Sequence, residues 1–228
     1  MISQIPPIVL AFGGLFALVA GIINVVGYLS FEHQAVTHLT GTTTLLGAAV
    51  AASDTSQVAH LLFVISSFLL GAVLSGFIVQ DSTLKLGRRY GVVLVLESIA
   101  LFGSVPLLEQ HSHFGMYLAG LACGLQNAMA TTYSGTVIRT SHVTGMFTDL
   151  GIFLGQFLRG LPVNRRRLLV SLTIILCFFF GGVVGGLLFP LFSFSTLYFP
   201  AVLIGVAGVG YIFLKKKLQP WFPVNGSR

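Results

Sequence analysis

Six stretches of this chain, at 8–30, 57–80, 90–108, 113–135, 168–190 and 194–214, are apolar and carry a single formal charge between them, Glu97. Each has about the 20 residues that an α-helix needs to cross a hydrocarbon core of roughly 30 Å. Only 8% of the 228 residues are charged, against about a quarter in an ordinary soluble domain. The polar side chains cannot cover a water-facing shell, so the sequence reads as an all-α membrane protein, a single integral domain whose first partner is the lipid bilayer. The first stretch has neither a basic flank nor a small-residue cleavage site before a short apolar core, so it is expected to be a retained helix. Cys123 and Cys177 both fall in apolar stretches and read as small buried hydrophobes.

Two further segments, 38–53 and 142–158, are shorter and more polar, and each opens on His-x-Thr-Gly. As helices they would reach only about 24–26 Å. The charges bear on how these segments run. The net charge of +6 is concentrated at Lys85/Arg88/Arg89, Arg159/Arg165/Arg166/Arg167 and Lys215/Lys216/Lys217. Such short runs beside apolar segments read as cytoplasmic anchors rather than a nucleic-acid surface, because no basic face with interleaved aromatics accompanies them. If both short segments cross, the first basic run falls on the side opposite the other two. If both enter and leave on the same side, all three runs and both termini are cytoplasmic, and Glu32, Asp54 and Glu109 are external. Charge therefore favours about six transmembrane helices plus two short re-entrant half-helices. Seven crossings, with one short segment spanning, remains the alternative.

The short segments also resemble each other. Thr37–Gly47, "THLTGTTTLLG", and Ser141–Gly151, "SHVTGMFTDLG", share six of eleven positions. Upstream, "GIIN" at 21–24 matches "GLQN" at 124–127, and downstream "FLLGAVLSG" at 68–76 matches "FFFGGVVGG" at 178–186. Three matches in one order make chance a poor explanation, so the chain reads as two halves, about 8–108 and 113–214. Three crossings per half is an odd number, which would make the repeat inverted. Inverted repeats with broken helices meeting near the midplane are a recurring design of secondary transporters.

The polar residues of these segments are the candidate site. Thr40 and Thr144 suit helix N-caps, while Gly41 and Gly145 allow close backbone approach. Half-helix N–H groups can hold an anion or a polar solute, with Thr42 adding a hydroxyl. Histidine is the side chain that ordinarily changes charge near neutral pH, so His38 and His142 could couple protons, or else be neutral core histidines. Neither sits in a cluster with metal-ligand spacing. Asp149 replaces Leu45 of the first copy, with Arg139 as the nearest ion-pair partner. Glu97 is a carboxylate at membrane depth with no evident partner; such groups are costly and usually face a cavity. Asn24 and Asn127 read as cross-helix hydrogen-bonding residues or as part of the site. The glycine spacings at Gly181/Gly185, Gly182/Gly186 and Ser67/Gly71/Ser75 suit close helix packing within a protomer, with homodimer formation as the rarer use.

"AGIINVVGYL" (20–29), "VTHLTGTTTLLG" (36–47), "GLQNAMATTYSG" (124–135) and "RTSHVTGMFTDLG" (139–151) resemble the YoaK-like family of bacterial inner-membrane proteins, whose function is unassigned. The likeness covers about residues 8–215. It implies a multi-pass bacterial inner-membrane protein, often assumed to be a transporter, and supplies no substrate. In that family an aspartate often stands where this chain has Asn24, and an asparagine where it has Thr42. Both departures argue against a charged site in the first copy.

No nucleophile elbow, P-loop, paired-carboxylate or metal-ligand motif occurs, so no enzyme and no cofactor are expected. The expectation is a secondary transporter for a small polar or anionic solute. Its binding residues would be Asn24, His38, Thr40, Gly41, Thr42, Asn127, His142, Thr144, Gly145 and Asp149, with proton coupling through Asp149, Glu97 and His142. A channel or permease, or a non-transporting scaffold, are the rival expectations.

Overall fold

The computed structural model describes residues 7–79, 89–134 and 140–218. Its elements are α1 (Pro7–Leu29), α2 (Leu39–Ala51), α3 (Thr55–Ile78), α4 (Arg89–Glu109), α5 (His113–Ser134), α6 (Val143–Leu158), α7 (Arg165–Phe192), a 3-10 turn (Ser193–Leu197) and α8 (Tyr198–Leu218). The long helices fall on the apolar stretches, and α2 and α6 on the two short polar segments. Local chemistry sets several starts. Asp54 caps α3 by accepting from the Gln57 N–H, and Asn164 caps α7 by accepting from the Arg166 and Arg167 N–H groups.

The side-chain pairings fix the direction of each helix. Glu32, just beyond α1, touches His60 near the start of α3 and His113 at the start of α5. Phe31 packs on Phe194, and Glu109 accepts from Ser195. The ends of α1, α4 and α7 and the starts of α3, α5 and α8 therefore share one end of the bundle. The starts of α4 and α7 lie at the other end, which carries Arg89 and the Arg159/Arg165–Arg167 group. Lys85, Arg88 and the side chains of Lys215–Lys217 lie outside what is described. The short helices run differently. After Glu32 the chain turns back along α1, past Gly27, to the level of Asn24, and α2 then returns towards the end where α3 begins. After α5 the chain likewise lies beside Asn127 at Thr140, and α6 returns to the end where α7 begins. At about 1.5 Å per residue, α2 and α6 are only about 20 and 24 Å long.

Two glycine-rich helix pairs pack backbone to backbone and run parallel, α1 with α7 and α3 with α5, and Gly91 and Gly208 make a like approach between α4 and α8. A Cβ at Gly181 would collide with the Leu18 carbonyl, and one at Gly21 with the Phe178 carbonyl. In the other pair the same relation holds between Gly71 and the Leu121 carbonyl, and between Gly124 and the Phe68 carbonyl. Small residues thus let backbones touch, which is how helices associate where lipid removes the hydrophobic drive. These glycines are used inside the protomer, while Gly182 has open space around it. The helices α1, α4 and α5 form the interior, with Ile23, Leu101, Met116 and Leu125 fully enclosed.

The outer faces of α3, α7 and α8 are apolar and bare, including Phe63, Leu69, Phe77, Phe180, Leu187, Leu191, Val206 and Phe213. Patches of this extent on a monomer mark a membrane or protein contact. Among the described residues four stretches, Val9–Leu29, Thr55–Ile78, Arg89–Glu109 and Arg165–Phe213, are long and apolar enough to cross a membrane; the last includes both α7 and α8. The helix α5 has the length but is less apolar, with Gln126 and Asn127 in its middle.

The glycine contacts generate a test. Gly124→Ala and Gly181→Ala should each lower the thermal midpoint of the detergent-solubilised protein, by overpacking on the order of 1–3 kcal/mol. Gly182→Ala, with nothing nearby, should leave it unchanged.

Candidate functional site

The His-x-Thr-Gly element has the same local geometry in both copies. His38 and His142 occupy the N-cap positions of α2 and α6, with φ/ψ of −90/62° and −89/56°. Their side chains make no capping hydrogen bond. Each ring instead folds over the glycine three residues on: a Cβ on Gly41 would lie 2.7 Å from His38 Nδ1, and one on Gly145 would meet the His142 ring. The glycine thus makes room for the imidazole. This differs from the expected capping by Thr40 and Thr144, which lie inside the first helical turn. Their carbonyls accept from Thr44 and Thr148, and Thr42 Oγ1 donates to the His38 carbonyl. Those hydroxyls are spent on their own helices.

Asn24 and Asn127 hold the two approaches. Asn24 Oδ1 accepts from Thr37 N at 2.8 Å and Thr37 Oγ1 at 3.0 Å. Asn127 Oδ1 accepts from Thr140 Oγ1 at 3.1 Å and Ser141 Oγ at 3.0 Å, while its Nδ2 donates to the Cys123 carbonyl. Each asparagine lies 13 residues ahead of the threonine it holds. Beside the second anchor runs a buried polar chain. Thr140 Oγ1 is 3.4 Å from Gln126 Oε1, and Gln126 Nε2 donates to Glu97 Oε1 at 2.8 Å. Glu97 is fully enclosed, and its Oε2 has no hydrogen-bond partner among the described residues. Asp149 is half-buried and forms no salt bridge among the described residues, and Arg139 lies outside them.

The structure keeps the two copies apart. α2 packs on α3 and α6 on α7, and the short helices are not packed together. Asn24, His38, Thr40, Gly41 and Thr42 form one group. Asn127, His142, Thr144, Gly145 and Asp149 form another, to which Gln126 links Glu97. His38, Thr40, His142 and Thr144 are exposed on the isolated chain.

A third cluster lies at the end of the bundle where α1 finishes, among residues not singled out above for chemistry. Glu32 is buried, with its side chain 2% exposed. Its Oε1 is 2.7 Å from His113 Nδ1, and its Oε2 is 3.0 Å from His60 Nε2. The second contact is close enough to help hold the carboxyl down, yet His60 Nε2 is buried without a partner in full hydrogen-bond geometry among the described residues. The other ring nitrogen, Nδ1, lies 3.0 Å from Tyr117 Oη. Phe31 packs against the rings of His113 and His111. Burial pushes the Glu32 carboxyl up, but the two histidines more than offset that and leave it below the ordinary carboxylate range. The sequence signal for this cluster is weak. Four of the six histidines, His33, His60, His111 and His113, gather at this end, but Glu32 and His113 are 81 residues apart.

Together these features define a multi-helix integral membrane protein with polar groups buried at helix depth. The chain belongs to the family described as "Protein of unknown function (DUF1275)", which matches residues 12–210. It is 27% identical over 199 residues to "UPF0700 transmembrane protein YoaK" of Bacillus subtilis (strain 168), covering 83% of this chain and 88% of that protein. No solved structure matches it.

The lowered Glu32 carboxyl predicts a pH dependence with a definite sign. Its stabilising contribution is present above the unfolded value of 4.5 and is lost as pH falls through the lower folded value. In chelator-treated buffer, wild type should melt above Glu32→Gln at pH 6, and the gap should close as pH drops below about 4.

Proposed function

We propose that this chain is a small secondary transporter of a polar or anionic solute in the bacterial inner membrane. In this reading α1, α3, α4, α5, α7 and α8 cross the bilayer, and α2 and α6 are re-entrant half-helices related by an inverted repeat. The pair of asparagine anchors carries it. Asn24 and Asn127, each in the last third of its helix, hold equivalent non-helical segments inside the bundle, approached from opposite ends. Non-helical backbone at membrane depth is tolerated only where protein buries it or a cavity is lined. The half-helix N-termini, with free N–H groups, then suit an anion or polar solute. The matched glycine contacts of α1 with α7 and of α5 with α3 support the same symmetry.

Because α2 and α6 are apart, the solute path in this proposal lies beside the second copy. There Glu97, Gln126, Thr140 and Asn127 form a continuous polar chain next to α6, and Asp149 on α6 supplies a second carboxylate. Glu97 and Asp149 would carry the coupled proton. The separation of the short helices also favours a second reading, a non-transporting membrane scaffold.

Single cysteines in a background lacking Cys123 and Cys177 test the topology. Ser53→Cys and Leu161→Cys should label from opposite sides of the membrane. Labelling of both from one side would mean that α6 crosses.

Function is tested in proteoliposomes carrying an internal pH dye and pulsed with small anions and polar metabolites. Saturable, gradient-driven flux with at least one solute is expected, abolished by Glu97→Gln and by Asp149→Asn with insertion and melting preserved. Non-saturating conductance would indicate a channel. Absence of flux with any solute would favour the scaffold, and normal flux in both variants would remove these carboxylates from the mechanism.

A further inference from the structure

We propose that Glu32, His60 and His113 form a binding site for a divalent transition-metal ion of the Zn²⁺ class, at the end of the bundle where α1 finishes. The proposal stands without the transport reading, since the cluster lies apart from Asn127, Glu97 and Asp149.

The geometry argues for it in three ways. First, the donor atoms already converge: one ligand atom from each residue lies within 4.8 Å of the others. Around a tetrahedral Zn²⁺ with bonds of about 2.0–2.1 Å, donors stand about 3.3 Å apart. His60 Nε2 and Glu32 Oε2 are at 3.0 Å, and the two imidazole centroids are at 4.6 Å. Only side-chain adjustments separate this arrangement from a coordination sphere. Second, a purely hydrogen-bonded cluster leaves one atom unexplained. The contact of His113 with Glu32 is a sound hydrogen bond. His60 Nε2, in contrast, is buried 3.0 Å from the carboxylate without a partner in hydrogen-bond geometry among the described residues. A buried polar nitrogen without a partner is costly. A ring nitrogen that presents its lone pair to a shared ion has no such cost. Third, Tyr117 Oη at 3.0 Å from His60 Nδ1 is the outer contact that ligating histidines need to set tautomer and ring orientation.

The donor set selects the ion. Two imidazole nitrogens and one carboxylate suit Zn²⁺, Co²⁺, Ni²⁺ or Fe²⁺, whereas Ca²⁺ and Mg²⁺ require oxygen ligands. Three protein ligands leave at least one position open, and the His113 side chain is 59% exposed, so an ion can reach the site. An open position is a property of exchanging or reactive sites rather than closed structural ones.

The test is Co²⁺ titration of the full-length chain in detergent, without a histidine tag, followed by visible absorption and by Zn²⁺ competition. One Co²⁺ per chain is expected, with the bands of a four- or five-coordinate ion, displaced by Zn²⁺. Glu32→Gln, His60→Ala and His113→Ala should each abolish those bands. His33→Ala and His111→Ala, at the same end but outside the donor set, should keep them. Tyr117→Phe should weaken Co²⁺ binding by about tenfold or more, as for an outer-sphere partner. His113 is exposed enough that its variant should fold, and a retained cooperative melting transition in chelator checks this. Absence of Co²⁺ and Zn²⁺ uptake by wild type overturns the proposal. So does Co²⁺ binding that survives His113→Ala with its spectrum intact.

Discussion

Non-helical chain that runs back beside a long helix must be held there by side chains, and two asparagines do so here. Asn24 takes both the N–H and the hydroxyl of Thr37, and Asn127 takes the hydroxyls of Thr140 and Ser141. An unsatisfied buried group costs about 1–3 kcal/mol. The anchors therefore decide where the chain stops descending and where α2 and α6 begin. The positions of His38, Gly41, His142 and Gly145 follow from them, as does the burial of Thr140 beside Gln126 and Glu97.

Around these anchors the bundle is closed by backbone contact more than by side-chain bulk. Gly21 and Gly181 interlock between α1 and α7, as Gly71 and Gly124 do between α3 and α5. The same device in both helix pairs leaves α1, α4 and α5 as the interior and turns the outer faces of α3, α7 and α8 to apolar surroundings. Among the described residues two carboxylates are buried inside. Glu97 is held at helix depth by Gln126, and Glu32 is held at one end of the bundle by two histidines.

Much of the fold was legible, because a helix in lipid must be long, apolar and almost uncharged. The stretch read at 57–80 is the helix Thr55–Ile78, and that at 142–158 is Val143–Leu158. The likeness of "THLTGTTTLLG" and "SHVTGMFTDLG" carried through to nearly identical backbone angles at His38 and His142. The capping role was misassigned because Thr and Ser usually cap helices. Here the imidazole sits at that position, and the glycine after it gives the ring its room. The Glu32 cluster was not legible at all. Its members lie in a turn and at the starts of two different helices, so no local spacing joins them.

The sequence by itself determined the membrane setting, the helix positions and the repetition of the short polar segments. These depend on composition and on local patterning over tens of residues. The tertiary structure alone decided that α2 and α6 pack on different long helices rather than on each other. It also brought Gln126 to Glu97, and Glu32 to His60 and His113. Such pairings arise from how whole helices are registered against one another, and no property of any single segment encodes that register.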